Sequence, residues 1–231
     1  MGTSFEELDY CQSALGELIL RRRKPVSMPD TWVYEVKLGG NFLMSSLIRT
    51  SEEELVRLAL PRLDGSDWRV LVGGLGLGYT AAAALASSDV KSVEVIEFLP
   101  EVIAWHERGL VPMGETLCDD ARCRLVQGDC FARVRADAGK DYDALLIDID
   151  DGPEELLSPD HELFYSVEGL RDARRCLRSG GVFGLWTSRA CHDDFLGRLR
   201  DAFGNGDAEE VTFHNSLLSI DEVNAIYLAQ A

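Results

Sequence analysis

The sequence predicts a doubly wound α/β fold, in which helices cover both faces of a seven-stranded Rossmann-like sheet that follows a small antiparallel β-element. Two observations predict it. Short apolar runs alternate with helical segments from residue 68 onward, and the residues before them carry strand patterns separated by turn residues. Because the pattern changes near residue 65, we expect a β-element with a linking helix over residues 1–64 and the doubly wound part over residues 65–231.

The N-terminal part has the pattern of an antiparallel sheet followed by one helix. The predicted strands are residues 16–23, 31–38 and 41–46, with a tight Gly39-Gly40 turn between the last two. Ser51 and Glu54 have the spacing of a capping box, so we expect a helix to begin at Thr50 or Ser51.

The larger part alternates strand and helix patterns. The predicted strands are residues 69–73, 92–98, 122–126, 144–149 and 181–186, and the predicted helices lie near residues 80–86, 100–109, 131–136 and 166–177. Two further strands, residues 210–215 and 224–229, follow each other without a long helix between them. They predict an antiparallel strand at the end of the sheet, which a plain dinucleotide-binding domain does not have.

The charge of the chain favours a small cation over a nucleic acid as its partner. Asp and Glu number 40 against 23 Lys and Arg, and the net charge of −17 repels phosphates and attracts cations. Solubility alone is the other explanation of this charge. No window approaches the ~20 apolar residues of a membrane span. We therefore expect a cytoplasmic protein that binds neither nucleic acid nor membrane.

A glycine-rich loop lies between the first strand of the larger part and its helix. At such a loop, glycines let the backbone approach a ligand, and the helix N-terminus favours polar ligand groups. Gly74, Gly76 and Gly78 are therefore candidate nucleotide-binding residues. Their spacing fits an S-adenosylmethionine site, and the spacing from Gly76 to Ala81 also satisfies a dinucleotide fingerprint.

Carboxylates follow the next two strands of the predicted sheet. Glu97 ends the second strand about twenty residues after the loop, where a carboxylate can accept hydrogen bonds from both ribose hydroxyls. Asp129 follows the third strand, where it can accept from an adenine amino group or cap the next helix. Three strand ends therefore converge on one predicted nucleotide.

A third acidic segment ends the fourth strand at the same edge of the sheet. Asp148, Asp150 and Asp151 lie within four residues, and such a group is costly unless it shares a cation or a pKa is shifted. We predict Asp148 and Asp151 as catalytic residues, and Asp150, Asp151 and Trp186 as binding residues for an amine. The sequence offers no further ligand set for a metal, so no metal is expected.

Taken together, these residues resemble the polyamine aminopropyltransferases, the spermidine synthase family, in particular its short bacterial relatives within the class I S-adenosylmethionine-dependent methyltransferase superfamily. The resemblance covers residues 15 to about 186 and rests on Leu15-Gly16-Glu17-Leu18, Val72-Gly73-Gly74 with Gly78, Glu97, Gly128-Asp129, Asp148-x-x-Asp151-Gly152-Pro153, Leu163-Phe164-Tyr165 and residues 176–182. It implies that Glu97 holds the ribose, Asp129 the adenine, Asp148 the attacking amine and Asp151 the polyamine chain. It also implies a homodimer and aminopropyl transfer from decarboxylated S-adenosylmethionine to a small amine.

The chain departs from the family pattern at two places. Gly76 stands where family members carry an aspartate that contacts the donor's amino group, and residues 54–58 replace a Tyr-His-Glu segment. Methyl transfer from intact S-adenosylmethionine to a small amine therefore stays open, as does non-catalytic nucleotide binding, with nicotinamide-dependent oxidoreduction a weaker rival. Without the aspartate, the backbone beside Leu75 and Leu77 is expected to accept the methionine carboxylate, so that both donors bind within about tenfold.

The histidines and cysteines carry no predicted chemistry. His106, His161, His192 and His214 lack a partner at catalytic spacing, and we expect surface or core positions. The six cysteines contain no C-x-x-C pair, which disfavours a zinc site or a disulfide framework.

Overall fold

The computed structural model describes residues 4–136, 142–216 and 219–231, which form two sheets and seven α-helices. The strands are β1 (Phe5–Ser13), β2 (Gly16–Arg23), β3 (Val33–Leu38), β4 (Asn41–Ser45), β5 (Trp68–Gly73), β6 (Val90–Glu97), β7 (Cys123–Gln127), β8 (Tyr142–Ile147), β9 (Leu177–Thr187), β10 (Asp207–Asn215) and β11 (Ile220–Gln230). The helices are α1 (Thr50–Ala59), α2 (Tyr79–Leu85), α3 (Pro100–Glu107), α4 (Gly114–Asp119), α5 (Cys130–Ala136), α6 (Val167–Arg175) and α7 (Asp193–Phe203). Short 3₁₀ turns lie at Leu60–Arg62 and Pro159–His161.

The larger sheet has seven strands in the order β10-β11-β9-β8-β5-β6-β7. Strands β5 to β9 are parallel, while β11 runs antiparallel to β9 and β10 antiparallel to β11. The chain leaves β5 toward β6 and later returns on its other side as β8. Ligands of open α/β sheets bind at such a switch point, at the carboxyl ends of the strands. The predicted fold class, including the terminal antiparallel pair, is confirmed.

The N-terminal sheet contains one strand more than predicted. β1 alternates acidic with apolar residues and pairs with β2, and the four strands form an antiparallel sheet in chain order. Asp9 on β1 accepts hydrogen bonds from Trp105 Nε1 at 2.7 Å and Arg108 Nη1 at 3.1 Å, which fastens the sheet to the α3 region. Leu18 and Val36 belong to the same apolar core as β5 and β6, so packing continues across the predicted boundary at residue 65.

Helix α1 begins at Thr50 as predicted, but the predicted capping box is wrong. The N-cap residue is Arg49, whose side chain makes no capping hydrogen bond. Ser51 cannot be the N-cap because it lies inside the first turn, with only 2% of its surface exposed. The helix packs on the larger sheet where Gly184 leaves room. A Cβ on Gly184 would lie 2.9 Å from Leu55 Cδ1.

Two helices, α4 and α7, were not predicted. In α7 the buried residues Phe195, Leu196, Leu199, Ala202 and Phe203 recur at helical spacing. This helix connects β9 to β10 and packs against α6, completing the second apolar core on that face of the sheet. Within the described residues, no helix is long and apolar enough to cross a membrane.

Candidate active site

A cleft of about 240 Å³ lies at the carboxyl ends of β5, β6, β7 and β8, beneath apolar side chains of the N-terminal sheet. Eight of the nine predicted site residues line it: Gly74, Gly76, Gly78, Glu97, Asp129, Asp148, Asp151 and Trp186. The wall contributed by the N-terminal sheet includes Leu18, Val36 and Met44. The cleft therefore combines an acidic floor with an apolar roof.

The glycine loop needs its glycines for packing as well as for access. Gly74, Gly76 and Gly78 have φ values of +93°, +48° and +93°, in the left-handed region that side chains disfavour. A Cβ on Gly74 would lie 2.0 Å from the Asp148 carbonyl oxygen, and one on Gly76 would lie 3.0 Å from Met44 Sδ. The loop is thus pressed between the end of β8 and the N-terminal sheet.

Glu97 is fixed by the loop that it faces. Its Oε2 accepts from the Leu75 N–H at 3.0 Å, and its Oε1 accepts from the Leu99 N–H at 2.8 Å. Burial raises the pKa of the Glu97 carboxyl, and the surrounding backbone N–H groups oppose that shift. Glu97 lines the cleft in this fixed position, and its contact with a ribose stays a prediction.

Asp129 occupies the position that both of its predicted roles need. Its Oδ1 accepts from the Ala132 N–H at 3.0 Å, so it caps the first turn of α5. The side chain is exposed on the cleft wall beside Gly128 and Phe131. One oxygen therefore holds the helix while the other is available to a ligand.

Asp148 lies where β8 ends, beside the start of α2. Its Oδ2 accepts from Thr80 Oγ1 at 2.7 Å. Burial raises the pKa of Asp148 to about 6, and the Thr80 hydrogen bond opposes the shift. A carboxylate with this pKa is ionised at neutral pH yet holds a proton more readily than an exposed aspartate.

Glu52 on α1 is a cleft residue that the sequence analysis missed. It lines the cleft together with Asp148, and burial followed by repulsion from Asp148 raises the pKa of Glu52 to about 8. Near pH 7 the pair therefore carries about one negative charge and one proton. Its sequence position gave no signal, because only the packing of α1 on the sheet brings it to the cleft.

The raised pKa of Glu52 predicts a pH-dependent stability. A carboxyl whose pKa is higher in the folded state lowers the free energy of unfolding as pH rises from about 4.5 to about 8. In this range unfolding releases the proton that the folded state still holds. We expect Glu52→Gln to raise the free energy of unfolding at pH 8 by about 1–2 kcal/mol, less than the full pKa difference because water reaches the cleft.

Urea unfolding at pH 5 and pH 8 measures this effect. The gain should shrink toward pH 5, close to the ordinary pKa of 4.5, where this carboxyl also keeps part of its proton in the unfolded chain. The matched control is Glu53→Gln, the exposed neighbour that pairs with Arg49. An equal gain at both pH values would contradict the assignment.

The three aspartates after β8 do not share one direction. Asp151 lines the rim of the cleft, and partial burial raises its pKa. Asp150 is 1% exposed and lies outside the lining, where it accepts from Tyr165 Oη, the Leu157 N–H and His161 Nδ1. The structure therefore does not bring Asp150 to the cleft in which it was predicted to contact the amine, because its oxygens are directed into the protein.

Trp186 on β9 forms part of the cleft wall. The structure places the indole between the apolar interior and the cleft, half-buried. Its Nε1 is buried and has no hydrogen-bond partner among the residues that the structure describes. The indole ring borders the cleft, and the place of Trp186 in the amine site stays a prediction.

Two of the histidines, His106 and His161, have hydrogen-bond partners near the cleft that the sequence spacing did not predict. His106 Nε2 lies 2.9 Å from the Gly76 carbonyl oxygen, and burial lowers the pKa of this imidazole. It supports the glycine loop from behind. His161 lines the cleft and contacts Asp150, which corrects the expectation that it lacks a partner of catalytic type.

In the part of the chain that the structure describes, no three His, Cys, Asp or Glu side chains are arranged to hold a metal ion. The expectation that no metal takes part stays a prediction.

The arrangement of the cleft agrees with a family of known proteins. Residues 53–192 match the family model of the spermine/spermidine synthase domain. The chain belongs to this family. The matched residues include the glycine loop, Glu97, Asp129 and the three aspartates after β8, while Glu52 lies just before the first matched residue.

The curated relatives of this chain are named for two reactions, aminopropyl transfer and methyl transfer. Polyamine aminopropyltransferase 2 of Streptomyces coelicolor is 36% identical over 52% of this chain and 24% of its own length. Polyamine aminopropyltransferase of Prochlorococcus marinus is 33% identical over 60% of this chain and 49% of its own length. Putrescine N-methyltransferase 2 of Nicotiana attenuata is 28% identical over 56% of this chain and 33% of its own length. The chain thus spans at most about half the length of these relatives.

Solved structures share the fold over nearly the whole chain. A spermidine synthase in complex with the transition-state analogue AdoDATO has a TM-score of 0.75 at 18% identity, covering 97% of this chain and 73% of that one. The spermidine synthase of Thermotoga maritima has a TM-score of 0.74 at 16% identity, with coverage of 97% and 72%. These likenesses establish the fold, including the small N-terminal sheet.

Proposed function

We propose that the protein transfers an aminopropyl group from decarboxylated S-adenosylmethionine to a small polyamine. The observation that carries the proposal is one cleft lined both by Glu97 and Asp129, the candidates for binding a nucleoside, and by the carboxyl groups of Asp148, Asp151 and Glu52, the candidates for binding a cation. Family membership supports the same reaction class, since the family model covers residues 53–192, which include Glu97, Asp129 and Asp148, and relatives named for aminopropyl transfer are similar to this chain.

The geometry suits a reaction that needs alignment more than activation. A sulfonium donor is already reactive, so the protein must place the amine nitrogen, the carbon and the leaving sulfur in line. The nitrogen lone pair forms the new C–N bond as the C–S bond breaks, and the thioether leaves with that electron pair. The proton lost from the amine passes to the Asp148 carboxylate, whose raised pKa suits a proton acceptor.

The amine site combines charge with apolar surface. Glu52 and Asp151 are placed to pair with the ammonium groups of a polyamine, while Leu18 and Val36 of the N-terminal sheet cover its methylene groups. The indole ring of Trp186 forms one side of this site. A small cation with a flexible alkyl chain is the ligand that such a lining favours.

Product analysis tests the proposed reaction. With decarboxylated S-adenosylmethionine and a diamine, we expect methylthioadenosine to be released in equal amount to a newly aminopropylated amine, as measured by liquid chromatography with mass detection. Release of S-adenosylhomocysteine from the intact donor, without methylthioadenosine from the decarboxylated one, would identify methyl transfer instead. That second candidate is kept because a putrescine N-methyltransferase is among the relatives.

A further inference from the structure

His161 belongs to a cluster of polar groups that the proposed reaction does not use. Its Nδ1 lies 2.9 Å from both carboxylate oxygens of Asp150. The same carboxylate accepts from Tyr165 Oη at 2.8 Å and from the Leu157 N–H at 2.7 Å. Asp150 and Tyr165 are each only 1% exposed, so the cluster is built into the core.

These partners determine which ring nitrogen carries the proton in a neutral imidazole. A carboxylate that receives hydrogen bonds from a hydroxyl and an amide acts as acceptor only, so the third contact requires a proton on His161 Nδ1. In the neutral ring Nε2 then carries a lone pair. No hydrogen-bond partner for Nε2 occurs among residues 4–136, 142–216 and 219–231, and the side chain keeps 20% of its surface exposed.

The ring is held beside the end of the cleft that contains Asp129. His161 packs edge-on against Phe131 with ring centroids 4.7 Å apart, and Phe131 follows Asp129 by two residues at the start of α5. Both side chains line the cleft with Asp129. Since Glu97 faces the ribose, this end of the cleft is left for the base.

We propose that His161 reads the base of the bound nucleoside, its Nε2 accepting one hydrogen of the adenine 6-amino group while Asp129 accepts the other. The inference rests on the proposed nucleoside site and adds a specificity-determining residue to it. An amino group has two hydrogens, and two acceptors that converge on it reject a 6-keto base, whose oxygen is itself an acceptor.

The experiment compares 5′-methylthioadenosine with 5′-methylthioinosine by titration calorimetry; the two differ in the 6-amino or 6-keto group and in the hydrogen that the keto base carries at N1. In His161→Asn the amide can keep the bond to Asp150, while the Nε2 position is removed. We expect the wild type to prefer the adenine compound and the preference to fall about tenfold in His161→Asn. A merely structural role would weaken both compounds equally and leave the ratio unchanged.

The matched control is His214→Gln. His214 makes a comparable contact with Asp221 at 2.8 Å but lies exposed on the β10–β11 hairpin, so its loss should leave the ratio as in the wild type. The wild type gives an independent measurement that needs no variant. The ¹⁵N resonance of one histidine Nε2 should move on addition of the adenine compound and not of the inosine compound.

An unchanged preference in folded His161→Asn, or the absence of that resonance shift in the wild type, overturns the assignment of His161 while leaving the nucleoside site intact. Failure of the wild type to bind either compound overturns the nucleoside site and this inference together.

Discussion

Asp148→Asn is expected to lower turnover by about a hundredfold or more while leaving nucleoside affinity within about twofold. The amide has nearly the shape of the carboxylate, and its oxygen can still accept from Thr80 Oγ1, so the end of β8 should keep its structure. What is lost is the acceptor for the amine proton. Steady-state kinetics of methylthioadenosine release, with calorimetry for the nucleoside, measures the two effects separately.

The pH dependence provides a second measurement of the same role. Because the pKa of Asp148 is raised to about 6, kcat/KM should rise as pH increases through about 6 and the acceptor loses its proton. That limb should be absent in Asp148→Asn. Asp160→Asn is the matched control, since Asp160 also lines the cleft but lies beyond the proposed amine site. Turnover equal to that of the wild type would remove Asp148 from the mechanism.

The part of the cleft proposed to hold the nucleoside could be predicted from sequence because its residues lie at the ends of parallel strands. The carboxyl ends of such strands meet at one edge, so Glu97 and Asp129 had to face the loop that contains Gly76. No tertiary information beyond strand order was needed. The same reasoning placed Asp148, which follows β8 next to β5.

The remaining site residues depend on packing that no local pattern encodes. Past the end of β8 the two-residue alternation of a strand no longer applies, so the different directions of Asp148 and Asp150 follow from the loop conformation. His161 meets Asp150 across eleven residues of irregular chain. Glu52 reaches the cleft only because α1 packs where Gly184 has no side chain.

The glycine loop shows how the structure changes an expectation about the donor. The sequence predicts free backbone N–H groups near Leu75 and Leu77 for a methionine carboxylate. In the structure the Leu75 N–H donates to Glu97 and the Gly78 N–H donates to the Leu75 carbonyl oxygen at 2.8 Å. Met44 occupies the space beside Gly76. Two N–H groups of this loop are therefore already used within the protein, which weakens the physical basis for near-equal binding of the two donors.

The carboxyl groups of Asp148 and Glu52, the acidic pair of the cleft, instead favour binding of the decarboxylated donor. In the proposed reaction the sulfonium carbon lies beside Asp148, so we expect the methionine carboxylate of an intact donor to lie close to Asp148 and Glu52, which line the same cleft. Like charges about 5 Å apart repel by roughly 3 kcal/mol at an effective dielectric constant of about 20. The ammonium group of the decarboxylated donor meets attraction in the same place.

We therefore expect the decarboxylated donor to bind about a hundredfold more tightly than intact S-adenosylmethionine, a difference of about 2.7 kcal/mol. Glu52→Gln should leave the preference near a hundredfold at pH 7, where Glu52 already holds a proton, and should remove the further increase that we expect for the wild type above pH 8, where Glu52 ionises. Glu53→Gln, on the exposed side of α1, should leave it unchanged. Direct competition between the donors by calorimetry measures all three proteins. Equal affinity of the wild type for both donors would show that the acidic pair does not face the donor tail, and would favour methyl transfer as the reaction of this cleft.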